Sequence, residues 1–272
     1  MTDGPIVTEG AVALMGCGRL GSAILEGWLK TGAVAPERLI ILTPSSKPAA
    51  EAARAKGARI NPGAAALGEV STLVISVKPA MWRAASEPVA PSLAVDATVV
   101  SVMAGVRAAS LSEVFGQRAV ARVMPTTGVA QAQGVASIWA ATQAAREAAR
   151  GLFAPVAEVV DLADEGLIDA ATAVSGSGPA YFHAFAKALA EAGEAEGLDP
   201  ADAVRLARAT LRSAAAGLED GADLDALIAR VASPGGTTQA GLKALAEAGM
   251  STAAGAAVQA AVRRARELSA NG

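Results

Sequence analysis

The sequence holds few of the side chains that most enzymes use for acid–base, nucleophilic or metal chemistry. It has one cysteine, Cys17, and one histidine, His183, and aromatic residues make up only 3% of it. A lone cysteine excludes an intramolecular disulfide, and no Cys/His cluster has metal-ligand spacing, so no metal site is expected. One histidine leaves little material for a His-based triad. With 52% hydrophobic residues and so few aromatics, the interior must be built from Ala, Val and Leu on closely packed helices. Thin cores of that kind favour further burial between subunits. No apolar run approaches the ~20 residues that span a bilayer, and the N-terminus has no charged start followed by a long apolar stretch. The expectation is a cytoplasmic protein with no membrane partner. Basic and acidic residues number 23 and 26, for a net charge of −3; without a basic block, nucleic acid is not an expected partner.

What is present is organised. The 272 residues can form one large or two moderate domains with a real core. Short β-branched runs read as strands over 11–15, 39–42, 72–77, 97–102, 119–124, 134–140 and 156–162, and the early ones alternate with alanine-rich helical segments. That alternation predicts βαβ units and a parallel sheet. Past about residue 163 the strand signal ends. Helices are predicted over 179–197, 200–219, 223–232, 237–248 and 250–269, each bounded by Gly, Pro or Asp. Asp199-Pro200 has the form of an N-cap followed by Pro at the first helical position, with Asp202 in the first turn. The fold class is therefore α/β: an N-terminal Rossmann-type parallel-sheet domain, 1–165, followed by an all-α domain, 166–272.

Chemistry enters at "ALMGCGRLGSAILEG". Gly16, Gly18 and Gly21 have G-x-G-x-x-G spacing directly after a strand and before a helix. The spacing suits a tight turn, a backbone that a pyrophosphate approaches, and close packing of helix on strand. Arg19 and Leu20 lie inside the motif, at the helix N-terminus that offers N–H groups to phosphate. NAD sites usually carry an acidic residue at the end of the second strand. Here that strand runs into Thr43, Ser45, Ser46 and Lys47, hydroxyls and a cation that suit a 2′-phosphate. NADPH is the expected cofactor, with NADH the alternative. Ligands lie beyond the carboxyl ends of such strands, which draws in Val77, Lys78 and Pro79 of "VISVKP" and Met103, Ala104 and Gly105 of "SVMAGV".

Two further loops carry hydroxyls. "VSGSGPAYFHAFAKAL" joins the two domains and opens a helix with Pro179 at an N1-like position; Ser175 and Ser177 are its candidate substrate-binding residues. His183, in the helix that follows, reads as a packed or hydrogen-bonded residue rather than a catalyst. "RVASPGGTTQAG" interrupts the helical half with a turn that exposes another helix N-terminus.

These stretches, in this order, resemble one family, the pyrroline-5-carboxylate reductases, which make proline. The similarity runs through "GCGRLGSAILEG", "SVKP", "SVMAGV", "SGSGPAY" and "ASPGGTTQAGLKAL", over roughly residues 11–267. The resemblance implies NADPH-dependent reduction of 1-pyrroline-5-carboxylate to L-proline. It implies a helical domain that forms a homodimer or a dimer-based higher oligomer, with a cleft between the cofactor domain and the partner subunit's helical domain. By the same resemblance Thr238 would hydrogen-bond the ring nitrogen of the imino-acid substrate. Ser233, Gly235, Gly236 and Thr237 would contact its carboxylate. Hydride transfer to a cyclic C=N bond needs little acid–base machinery, because the protonated iminium is already electrophilic. The scarcity of His and Cys is then no obstacle.

The sequence departs from the family in two places. Arg19-Leu20 stands where Asn-Met is common, and the family's "MPNTP" reads "MPTTG", so Thr126 replaces an amide and Gly128 a proline. Three alternatives keep the scaffold: reduction of a related cyclic imine, a 3-hydroxyacid-type reaction that would use a lysine such as Lys187, or cofactor binding without turnover.

Overall fold

The computed structural model describes residues 10–218, 221 and 223–270. Glu219, the end of a predicted helix, and the outer ends of the two predicted domains, 1–9 and 271–272, lie outside them. The chain divides into two compact units, Met1–Gly176 with Ala261–Gly272, and Ser177–Ala260.

The first unit is built on eight strands: β1 (Ala11–Met15), β2 (Leu39–Leu42), β3 (Arg59–Ile60), β4 (Val70–Ile75), β5 (Thr98–Ser101), β6 (Val120–Pro125), β7 (Gly134–Ala140) and β8 (Ala157–Asp161). They form one sheet in the order β3-β2-β1-β4-β5-β6-β7-β8. The run 3-2-1-4-5-6 is the doubly wound nucleotide-binding order, in which the chain reverses direction across the sheet between β1 and β4. Its helices are α1 (Arg19–Thr31), α2 (Pro48–Arg54), α3 (Trp82–Ser86), α4 (Ala108–Phe115), α5 (Gln143–Phe153) and α6 (Leu167–Ala171). β1 is buried at all five positions, as a strand covered on both faces must be. Side chains alternate between two cores. Val12, Leu14 and Val74 join Ile24, Trp28 and Phe153 on one face, and Ala13, Leu73 and Ile75 join Trp82, Leu111 and Phe115 on the other.

The structure differs from the sequence expectation at two strands. β6 and β7 pair antiparallel, Met124 against Ser137, within a sheet whose other pairs are parallel as expected. Only residues 126–133 connect them, too few for the crossover of a dozen or more residues that parallel pairing needs. β3, two residues long, was not anticipated.

α1 is anchored at its far end. The buried Trp28 donates its indole N–H to the Leu152 carbonyl at 2.8 Å, and Gly32, at φ 72°, closes the helix by donating to the Trp28 carbonyl. Truncating a core Trp costs about 3–5 kcal/mol, so this side chain sets where the opposite, glycine-rich end of α1 lies.

The second unit comprises α7 (Gly178–Ala195), α8 (Pro200–Ala216), α9 (Leu224–Val231), α10 (Thr237–Glu247) and the first part of α11 (Met250–Ala270). Asp199 caps α8 as expected, accepting from the Ala201 and Asp202 N–H groups at 2.9 and 3.3 Å. α7 begins at Gly178, so Pro179 is its second residue. The buried apolar cluster here is three alanines, Ala190, Ala203 and Ala207, whereas Phe182 and Phe185 are 64% and 44% exposed. His183, expected to be packed or hydrogen-bonded, is exposed too. The thin core inferred from composition is confined to this unit.

Candidate functional site

The glycine turn follows β1. Gly16 has φ 96°, and a Cβ there would meet the Ser76 carbonyl oxygen beyond β4 at 2.5 Å. At Gly21 a Cβ would fall 2.1 Å from the Gly16 carbonyl oxygen. These two glycines let the turn, α1 and the end of β4 close on one another. Gly18 is different: it is exposed, and a Cβ would meet no protein atom within 4 Å. It is the N-cap of α1, with no side-chain cap, so the first-turn N–H groups lack intrahelical acceptors. Arg19 is exposed and Leu20 half-buried. Ser22 braces the turn, donating from Oγ to the Cys17 carbonyl at 3.2 Å. The result is a rigid, open, positively polarised cradle at the point where the strand order reverses, which fits a pyrophosphate.

Beyond β2, Thr43 is buried and donates its hydroxyl to the Ser45 carbonyl at 3.0 Å, so it shapes the loop rather than facing outward. Ser45 and Ser46 are exposed; the Ser46 hydroxyl donates to Glu51 at 3.2 Å. Lys47 is the N-cap of α2, with Pro48 following. No carboxylate occupies the 43–47 loop itself. After β4, Val77 and Pro79 are half-buried and Lys78 is exposed, and Pro79 opens a single 3-10 turn, Pro79–Met81. After β5, Met103 and Gly105 are buried and Ala104 is half-buried. The Met103 N–H donates to Ser101 Oγ at 3.3 Å, and Gly105 has φ 79°. All these strand ends lie on the carboxyl edge of the same sheet, so the topology brings together the cofactor residues named from the sequence.

Sequence reasoning missed two features of this unit. Asn61, at the end of β3, pairs with the Thr43 backbone through both ends of its amide. Arg122, on β6, is 4% exposed; its Nη1 donates to Glu165 Oε1 at 2.9 Å, and the same oxygen accepts the Ala108 N–H at the start of α4 at 2.7 Å. An Asn-Pro dipeptide is a turn signal and could have drawn attention to Asn61. Nothing local marks Arg122, whose partner lies 43 residues away.

At the end of the first unit, Ser175 sits in a π-helical turn, Thr172–Gly176, and donates its hydroxyl to the Ala171 carbonyl at 2.9 Å. In the second unit Ser177 is the N-cap of α7, without a side-chain cap bond, and Lys187 pairs with Glu191 one turn along that helix.

The Ser233–Thr238 stretch is also in the second unit. Pro234 and then Gly235, at φ 71°, occupy the central positions of a turn closed by the Gly236 N–H on the Ser233 carbonyl at 3.1 Å; Pro followed by a left-handed glycine is the type II pattern. A Cβ on Gly236 would meet Ser233 Oγ at 2.6 Å. α10 starts at Thr237, with Gly236 as an N-cap that has no side chain to give. Gln239 reaches back to accept the Gly235 N–H at 2.7 Å. Thr237 and Thr238 stand exposed on the first turn, whose N–H groups lack intrahelical acceptors. Two hydroxyls and a fan of N–H groups can hold a carboxylate and one further polar atom.

A doubly wound sheet with an open glycine turn at its reversal point, followed by a helical unit, defines a dinucleotide-dependent oxidoreductase. The comparisons agree and narrow the class. Residues 11–105 match the model of the NADP oxidoreductase, coenzyme F420-dependent family, and residues 165–268 match the pyrroline-5-carboxylate reductase dimerisation domain. The chain is 35% identical over 268 residues to pyrroline-5-carboxylate reductase of Pseudomonas aeruginosa, covering 94% of this chain and 96% of that one. It is 36% identical over 263 residues to the enzyme of Thermus thermophilus, covering 94% and 98%. A solved structure of a pyrroline-5-carboxylate reductase from Coxiella burnetii superposes with a TM-score of 0.87 at 27% identity, over 96% of this chain and 99% of that one. The chain belongs to the pyrroline-5-carboxylate reductase family.

Proposed function

We propose that the protein reduces 1-pyrroline-5-carboxylate to L-proline at the expense of NADPH. The observation that carries the reading is the Ser233–Thr238 turn, which presents hydroxyls and the open N–H groups of Thr237 and Thr238 at the start of α10, with no acid or base among them. A substrate that is a carboxylate joined to an already electrophilic iminium needs holding and orienting more than it needs a proton relay. NADPH supplies the hydride. Gly16, Gly18, Arg19, Leu20 and Gly21 hold its pyrophosphate, and Ser45, Ser46 and Lys47 its 2′-phosphate, in a loop shaped by Thr43. Val77, Lys78 and Pro79, with Met103, Ala104 and Gly105, line its nicotinamide half. Ser233 and Thr237 hold the substrate carboxylate on a turn shaped by Gly235 and Gly236, whose own N–H groups are already bonded, with Ser175 and Ser177 as further polar contacts. Thr238 hydrogen-bonds the ring nitrogen, orienting the C=N carbon toward the hydride. The balance is NADPH, one proton and the imine giving NADP and the secondary amine.

The dimerisation-domain match and the outward-facing apolar residues of α7 support a homodimer or an assembly of dimers. None of the described helices is long and apolar enough to cross a membrane, and we place the activity in the cytoplasm.

The test is NADPH oxidation by the pure, folded protein, followed by absorbance, with 1-pyrroline-5-carboxylate as substrate; no turnover above background overturns the reading. In the same assay Thr238→Ala should lower kcat/KM about 10- to 100-fold, the loss of one positioned hydrogen bond of ~1.5–3 kcal/mol. Unchanged kinetics would remove Thr238 from the mechanism.

A further inference from the structure

β3 is two residues long, and its backbone ladder with β2 ends at Asn61, where the chain turns away ahead of Pro62. It continues by a side chain instead. The Asn61 N–H donates to the Ile41 carbonyl at 2.9 Å. Its backbone then turns away at φ 45°, a conformation that asparagine tolerates better than most residues. That turn directs the amide back along β2. Oδ1 accepts the Thr43 N–H at 2.9 Å and Nδ2 donates to the Thr43 carbonyl at 2.7 Å. Pairing with a peptide N–H and C=O together requires an acceptor and a donor on one short planar group. Aspartate lacks the donor and alanine lacks both.

This pairing sets the direction in which the chain leaves β2. With the Thr43 backbone held at both ends and its hydroxyl on the Ser45 carbonyl, the loop curls so that Ser45 and Ser46 are exposed. The N–H groups of Ser45, Ser46 and Lys47 have no protein acceptor among the described residues, and the Lys47 ammonium forms no ion pair there. The geometry points to Asn61 as a positioning residue for cofactor selectivity. It acts through Thr43 to pre-form the loop that recognises a ribose 2′-phosphate. This rests on the assignment of the 43–47 loop made above.

The test measures the full-length protein with two nucleotides that differ at this group, adenosine 2′,5′-bisphosphate and adenosine 5′-monophosphate, by titration calorimetry. Asn61→Gly removes the amide while accepting φ 45° without strain, and Asn61→Ala serves as a second variant. The expected result is about a tenfold loss of affinity for the bisphosphate with the monophosphate changed less than twofold, and a matching rise in KM for NADPH with kcat at saturation retained. Equal weakening of both nucleotides, or a lower melting temperature with selectivity intact, overturns the proposal, because either would mean direct contact or general stabilisation. Lys47→Ala separates the two levels of inference. If it lowers bisphosphate affinity while Asn61→Gly does not, only the role of Asn61 is refuted. If the native protein does not distinguish the two nucleotides and Lys47→Ala alters neither, the loop assignment falls and the Asn61 role with it.

Discussion

At the scale of single residues, the three fingerprint glycines divide into two kinds. Gly21 is required by packing, since a methyl there would lie 2.1 Å from the Gly16 carbonyl oxygen. Gly18 has open space around it and an extended backbone at φ −76°, so alanine fits the free protein and slightly restricts the unfolded chain. Gly21→Ala should therefore cost about 3 kcal/mol, the upper end of overpacking penalties, and lower the melting temperature as well as cofactor affinity. Gly18→Ala should leave the melting temperature unchanged or slightly higher while weakening NADPH binding at least tenfold. Thermal melts beside fluorescence titrations of both variants check this, and a Gly18→Ala protein that binds normally would show that nothing approaches the turn there. The spacing of these glycines was legible in the sequence because all its meaning is local to six residues. Their division of labour was only partly so: Gly21 is restricted by Gly16 inside the motif, whereas Gly16 is restricted by Ser76, which β4 brings alongside.

At the scale of elements, the β6–β7 connection accommodates Thr126 and Gly128, the two residues that depart from "MPNTP". The Thr126 N–H donates to the Val135 carbonyl at 2.9 Å and its Oγ accepts the Val135 N–H at 3.0 Å, so the threonine closes the hairpin with its side chain. Two residues on, a Cβ at Gly128 would meet the Gln133 carbonyl oxygen at 2.7 Å. Thr126 and Gly128 thus belong to one tight turn, and the family's proline cannot be restored alone. Gly128→Pro should destabilise by about 2–3 kcal/mol, a drop of several degrees in melting temperature; a melt at or above the native value would show that the turn relaxes freely. Strand positions were readable here from β-branched runs, whereas strand direction was not. Direction follows from the length of the connection, and the sequence offered parallel pairing as the default. β3 was missed for a related reason: two residues carry no periodicity, and what holds the chain there is the Asn61 amide.

At the scale of the whole molecule, the two units are stabilised differently. The sheet unit buries Trp28, Trp82, Phe115 and Phe153 completely, while the buried apolar side chains of the helical unit are alanines, and Phe182 and Leu206 are more than half exposed. If a second copy covers that surface, stability follows mass action. The melting temperature should rise with protein concentration, light scattering should give at least twice the mass of one chain, and Phe182→Glu should lower both. Concentration-independent melting at the mass of one chain would refute the association proposed above. Composition foretold the thin core but could not say which half would bear it.

The alanine cluster of α7 and α8 has a consequence for inheritance. A unit whose large side chains point outward keeps the material of its hydrophobic interior on its surface, and if a second copy covers that face the interior is completed only on pairing. In a cell carrying one sound and one damaged version of the chain, a face too damaged to pair drops its chain out of the dimer pool. Lesions on the outer face of α7 should then act recessively, because the sound chains still pair with one another, whereas a chain damaged inside the sheet but intact on α7 is still carried into mixed dimers.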